Sequence, residues 1–338
     1  MLYITTRNNT DAFTAHHALT EDYAQDGGRY VPFRFPRFSA DELKVLAEKP
    51  FGQIVAEILN VFFSSRLTGW DVEFCIGRNC LRATAIHHKI VVAELWHNPQ
   101  SNYDYIVDSL YNSVAGQNTT KRSASEWFRI AVRIAVLFGS YGEIVKQKTL
   151  SGTETFDISV SVNNLATPIA AYYARCMGLP IQKIICSDHE NSVVWDFIQR
   201  GTLNTALISD SLQSGVERLV HATLGFDSVR VFRDKCQRRQ NFLIDDAQSI
   251  CISDTFFCSV IGIDRVPSVI SSTFRNSTYI IDPDTALCHG GLQDYRAKTG
   301  NSRTTLIFAE NTPLSSRERI CSAIGVDAVK LAELINTA

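Results

Sequence analysis

Two polar loops carry the residues best suited to chemistry. The first is Trp96-His97-Asn98-Pro99-Gln100-Ser101-Asn102, and it follows the apolar run Ile90–Leu95. The second is Asn163-Asn164-Leu165-Ala166-Thr167-Pro168, and it follows the β-branched run 157–162. Each run reads as a strand, and in open parallel sheets ligands bind beyond the carboxyl ends of strands. His97, Asn98, Asn102, Asn163, Asn164 and Thr167 are therefore candidate ligand-binding residues. A histidine there can move a proton, and the asparagines can donate or accept hydrogen bonds.

Other chemistry is excluded. The 9 cysteines contain no C-x-x-C pair, and the closest spacings, Cys75 with Cys80 and Cys251 with Cys258, are not zinc-like. The doublets His16-His17 and His87-His88 put their rings on different faces, so no metal site is expected. No nucleotide-phosphate, nucleophile-elbow or dinucleotide fingerprint occurs.

Elements must hold these loops. Ser39-Ala40-Asp41-Glu42 and Ser123-Ala124-Ser125-Glu126 read as capping boxes. The first opens a helix to about Lys49, followed by a second helix to Ser64. The other opens a long helix with Trp127, Ile130, Ala131, Ile134, Leu137 and Phe138 inward. A helix is expected from Tyr103 to about Val114, and one from Thr167 as N-cap with Pro168 in first helical position. Ile181–Ser187 reads as a strand, and Asn191 as the cap of a helix ending at Gly201. Helices are expected at about 209–225, 235–248, 253–262 and 265–275. Strands are expected at 278–281 and 304–309. Alternating strands and helices predict an α/β fold with a mostly parallel sheet flanked by helices.

At 338 residues, one large or two modest domains are expected. With 33 basic and 35 acidic residues there is no electrostatic footprint for nucleic acid. No apolar run reaches the roughly 20 residues of a membrane span, and the N-terminus does not read as a signal peptide. A soluble, cytoplasmic protein with reduced thiols is the expectation. The basic run Arg230, Arg233, Lys235, Arg238, Arg239 reads as a solvated helix face, diluted by Asp227 and Asp234.

Several segments, in order, resemble threonine synthase, a fold-type II pyridoxal-phosphate (PLP) enzyme. Tyr3–Arg7 and Asp26-Gly27-Gly28-Arg29-Tyr30-Val31-Pro32 resemble S-T-R-G and D-G-G-L-Y-V-P. Glu94–Pro99 resembles E-L-F-H-G-P, and Trp127-x-Arg129-Ile130 resembles N-W-A-R-I. Ala171–Pro180 is similar to G-Y-Y-A-K-K-M-G-L-P. Glu190-Asn191 with Phe197, Glu217-Arg218-Leu219 and Asp282-Pro283-Asp284-Thr285-Ala286 fit later signatures. The resemblance spans nearly the whole chain and implies a fold-type II large domain.

The departures bear on chemistry. The family's H-G-P is followed by T-L-A-F-K-D, whose lysine forms the Schiff base with PLP. The same register here reads Gln100-Ser101-Asn102-Tyr103-Asp104-Tyr105, with Asp104 in the lysine's place. A carboxylate cannot form an imine. The phosphate loop G-N-F-G-N becomes Asn163-Asn164-Leu165-Ala166-Thr167, without glycine. Only 23 positions separate Asp104 from Trp127, too few for the family's small domain.

The expectation is one threonine synthase-like domain over 1–338: an N-terminal region over 1–97, a small-domain vestige over 98–122, and a large-domain core over 123–338. The function expected is that of a pseudoenzyme without PLP, a binding or regulatory protein with Asp104 joining the ligand-binding residues. Alternatives are a PLP-independent enzyme, with His97 and Asp104 as acid and base, or an active threonine synthase converting O-phosphohomoserine to threonine in amino-acid biosynthesis. No catalytic residue and no metal are expected. The partners expected are a second copy of the chain and a small-molecule ligand or protein, not nucleic acid or membrane. Asp104 predicts a cleft favouring neutral or cationic ligands.

Overall fold

The computed structural model describes residues 1–78, 81–87, 89–96, 103–116, 124–151, 154–189 and 192–337. His97, Asn98 and Asn102, like Ser123 and Asn191, lie outside the described residues.

A six-stranded sheet runs through the molecule in the order Phe256–Val260, Ile181–Asp188, Phe156–Ser161, Thr305–Ala309, Ile90–Glu94, Arg82–His87. Its first five strands are parallel, and only the Arg82–His87 edge is antiparallel. The register sets Val160 against Cys186 and Ile307 against Val92. The strands Ile90–Glu94 and Phe156–Ser161 are buried almost throughout, as a sheet covered on both faces requires. The mostly parallel α/β expectation holds.

The helix Glu126–Lys146 is the centre of the molecule, with 16 of its 21 residues buried. Its amphipathic reading was too narrow, because it is packed on nearly all sides. One of those sides is the helix Phe51–Phe63, and two glycines admit it. A Cβ on Gly139 would sit 2.4 Å from the Phe51 ring, and one on Gly142 2.6 Å from Ile54 Cδ1.

The N-terminal region forms a small antiparallel sheet of Phe13–Thr14, Leu2–Thr5 and Tyr30–Pro32. It is tied to the central helix through Tyr3, whose hydroxyl donates to the Phe62 carbonyl (2.9 Å) and accepts from Trp127 Nε1 (3.1 Å). Separate sequence signatures thus meet in space. Thr6 and Arg7 both bind Glu217, at 2.6 and 2.9 Å, and the buried Arg218 donates to the Tyr30 carbonyl at 2.8 Å. The tight turn at Gly27 (φ +71°) aims Asp26 back at Thr5 Oγ1, 2.7 Å away.

Several expected elements need correction. The central helix is capped by Ser125, which accepts from Phe128 N and donates to the Ala18 carbonyl, so it starts two residues later than the Ser123 box implied. The helix Val193–Arg200 is capped by Ser192, not Asn191. The 253–262 helix is the edge strand Phe256–Val260, preceded by the helix Asp246–Thr255. The 235–248 helix is instead Phe226–Arg238 followed by the strand Asn241–Leu243. Residues 278–281 form no strand; they join the helix Arg265–Ser277 to Asp282, the N-cap of Pro283–Thr299. Short apolar runs fit a strand and a buried helix alike, and the sheet edge decides between them. Among the described residues, no helix is long and apolar enough to cross a membrane.

Candidate functional site

The central helix presents two arginines one turn apart, Arg129 and Arg133, where the carboxyl ends of Phe156–Ser161 and Ile181–Asp188 open into a cavity of about 760 Å³. Its opposite wall comes from the start of the helix Ala166–Cys176 and from Leu212 and Gly215 of the helix Asp210–Leu224. Asp104, Asn163 and Asn164 line this cavity, so three sequence-derived candidates come together. Thr167 lines an adjoining space of about 120 Å³, shared with Asn163, Asn164, Asp284 and Glu310.

Asp104 lies in the first turn of the helix Tyr103–Ala115. Its carboxylate accepts from Arg129 Nη1 at 2.7 Å, and Asp108 lies 3.7 Å from the same guanidinium. Asp104 is thus not a lone negative charge. Three arginines (Arg29, Arg129, Arg133) and three carboxylates (Asp104, Glu126, Asp188) line the cavity. The lone negative charge behind the expected bias towards neutral or cationic ligands is therefore absent, because Arg129 neutralises it at contact distance.

Arg133 is the most deeply set of the three. Its guanidinium lies 4.0 Å from the Tyr103 ring centroid, donates through Nε to Thr167 Oγ1 (3.0 Å), and reaches Glu310 at 3.5 Å. Burial opposes its charge, but Tyr103, Glu310 and Asp104 outweigh that and raise its pKa further. Burial also pushes the Tyr103 hydroxyl well above its ordinary value, partly offset by Arg133. That hydroxyl donates to the Arg129 carbonyl, so it braces the helix as a neutral group. Arg29 pairs with Glu126 at 2.8 Å, and Arg218 approaches the same carboxylate at 3.6 Å.

Thr167 does not cap its helix. The helix begins at Ala166, inside the predicted loop, and Asn164 Oδ1 accepts from Ala166 N at 3.0 Å. Leu165 holds the N-cap position without a side-chain cap, Asn164 closes an Asx-type turn just before it, and the Thr167 hydroxyl is taken by Arg133. Asn163 donates to Asp284 (3.2 Å), whose other oxygen accepts from Asn311 (3.0 Å). The sequence reading missed Arg133, Glu310 and Asp284 as members of this site. One signal was available: arginines at i and i+4 on an otherwise apolar helix must both face a polar space.

An imine-held PLP requires a lysine amine and a ring of backbone donors for its phosphate. Among the described residues, no lysine lines the cavity. Lys183 donates to the Ser253 and Asp254 carbonyls at the sheet edge, and Lys89 occupies the turn at the far end of the sheet. At the helix start, Asn164 already takes the Ala166 N–H, and Pro168 has none to offer. The described residues do not fit PLP bound in that way. Nor, among them, does any cluster of His, Cys, Asp and Glu suit a metal ion.

The chain shares the fold of solved threonine synthases. It superposes on the PLP-bound threonine synthase of Brucella melitensis with a TM-score of 0.78, covering 99% of this chain and 94% of that one at 17% identity. For the yeast threonine synthase the TM-score is 0.77, with 97% and 90% covered at 14% identity. Residues 2–80 match the family described as threonine synthase N terminus. Human "Threonine synthase-like 1" is 26% identical over 184 residues, which is 51% of this chain and 25% of that protein. The chain thus matches only about a quarter of that relative's length. The chain therefore resembles threonine synthase in its fold and, over residues 2–80, in its sequence.

Proposed function

We propose that this threonine synthase-like chain is a pseudoenzyme, a binding or regulatory protein that performs no PLP chemistry. The supporting observation is the Asp104–Arg129 ion pair of 2.7 Å, formed where the sequence register would put the Schiff-base lysine. In this reading His97, Asn98, Asn102, Asp104, Asn163, Asn164 and Thr167 contact a small polar ligand or a partner segment in the old cleft. Residues 98–122 are what is left of the small domain. The cytoplasm is the compartment that suits it, and all eight described cysteines are free.

The test is chemical. Protein incubated with PLP and reduced with borohydride should show no pyridoxyl adduct by intact mass, and no internal-aldimine absorbance. A stoichiometric adduct on one lysine would refute the pseudoenzyme and favour an active threonine synthase. The reading also includes a homodimer, supported by the exposed, stacked pair Trp70 and Phe74, 5.5 Å between centroids. Light scattering at micromolar concentration should give twice the chain mass; a clean monomer would remove the homodimer from the reading.

A further inference from the structure

A further cavity, of about 310 Å³, lies at the opposite end of the sheet from the cleft, beside the first residues of the strand Ile90–Glu94; most of its surface is apolar, with a few polar groups set into it. Helical spacing builds one wall: His289, Gln293 and Arg296 follow at i, i+4 and i+7 along Pro283–Thr299 and share a face. Thr273 and Asn276 of the helix Arg265–Ser277 form the wall opposite, and Ile86, His87 and Ile90 of the edge hairpin close it. None of the ten described lining residues is acidic. One arginine and two histidines therefore converge on a space otherwise lined by amides, hydroxyls and two isoleucines.

These groups are held in place. Arg296 Nη2 donates to the Arg303 carbonyl (3.0 Å) and reaches Thr305 Oγ1 at 3.4 Å. Asp157 is a carboxylate that acts on Arg296, and Arg303 pairs with it at 3.0 Å. The Thr273 hydroxyl donates to the Val269 carbonyl (2.8 Å), so its oxygen accepts from His289 Nδ1 at 2.9 Å. That fixes the neutral tautomer and leaves Nε2 to take up a proton when an anion arrives. Burial first, then Arg296 and His87, lowers the His289 pKa to about 4.

We propose that this cavity binds a small oxyanion of the phosphate or sulfate type, carried as an ester on a compact organic molecule. Arg296 supplies the fixed charge, Asn276 and Gln293 supply amide donors, His87 supplies a ring N–H, and His289 becomes a donor on protonation. Ile86 and Ile90 offer the organic group an apolar surface.

The experiment titrates sulfate into the full chain and follows the His289 ring resonances by NMR. Sulfate keeps its charge across the range used, so any pH effect belongs to the protein. We expect a saturable shift of His289. Binding should tighten several-fold between about pH 7.5 and about pH 5.5, because the bound anion raises the His289 pKa. Arg296→Gln should weaken sulfate about tenfold or more. The exposed Asn276→Asp, which puts an acid at the rim without disturbing the core, should weaken it several-fold. A His289 signal that sulfate does not move, or affinity unchanged in both variants, would overturn the site. Phenyl phosphate should bind more tightly than inorganic phosphate at one pH. Equal affinity would overturn the ester and reassign the site to the free ion.

Discussion

The two ends of the sheet have opposite electrostatic designs. At the carboxyl end, each arginine facing the cleft has a carboxylate in reach: Arg129 with Asp104, Arg133 with Glu310, Arg29 with Glu126. At the amino end, the cavity around His289 and Arg296 has no acidic residue in its described lining. One helix, Pro283–Thr299, runs between them, with Asp282 and Asp284 at its cleft end and Arg296 near the other. This polarity agrees with neither end of the helix dipole being left to attract an ion, since Asp282 caps the first turn and Arg296 sits in the last. The comparison teaches that arginines lining a cleft exert little net pull on anions where carboxylates neutralise them in place.

The sharpest way to break that balance is at Arg133. Arg133→Ala leaves Thr167 and Glu310 without their donor and removes the cation over Tyr103. Urea unfolding should show a loss of about 3 kcal/mol, and a loss below about 0.5 kcal/mol would mean that the cleft charges are not structural.

The two ends should also respond to acid with opposite signs. His289 has a folded pKa of about 4 against an ordinary 6.5, so the unfolded chain binds its proton first. Its contribution is present above pH 6.5 and is lost as pH falls towards 4. His221, also lowered to about 4, adds the same sign. Asp282 is raised by burial to about 6 from 3.8, so the folded state holds the extra proton and this contribution fades as pH rises from 3.8 through 6. His289→Gln should therefore reduce the acid loss by on the order of 2 kcal/mol, and Asp282→Asn should remove the opposing slope. Thermal melts across pH 4–7 read both, and parallel curves for wild type and His289→Gln would contradict the assignment.

The smallest effect is expected at Asp104, whose side chain is 73% exposed. Asp104→Lys sets a second cation beside Arg129 and should cost no more than about 1 kcal/mol. It should yield no borohydride-trapped PLP and no threonine prototrophy in an auxotroph. A trapped adduct on the new lysine would show that the phosphate end of the cleft still holds the cofactor.

Much of the architecture was legible because its signals are local. Ser39 with Glu42 does form a capping box, and Asp282 does cap the helix that Pro283 opens. The buried strands Ile90–Glu94 and Thr305–Ala309 followed from continuous apolar runs. Thr167 shows where such signals stop. Its type and its proline neighbour suit an N-cap, yet the helix starts earlier, with Leu165 at the N-cap position, and Arg133, 34 residues earlier, takes the hydroxyl. The edge strand Phe256–Val260 failed for the same reason, since its pairing with Ile181–Asp188 is what makes it a strand.

By itself the sequence determined the α/β class, the resemblance to threonine synthase, and the aspartate in the lysine's register. These depend on residue order and short-range periodicity, which a chain displays without folding. Only the tertiary structure decided what that aspartate does. Its charge looked like a repellent for anions, but the fold brings Arg129, 25 residues away, to 2.7 Å. The acid-free cavity at the other end is equally a product of folding, because His87 and Arg296 lie more than two hundred residues apart along the chain. Charge acts through space, falling off with distance and solvent screening, and sequence separation does not enter that law.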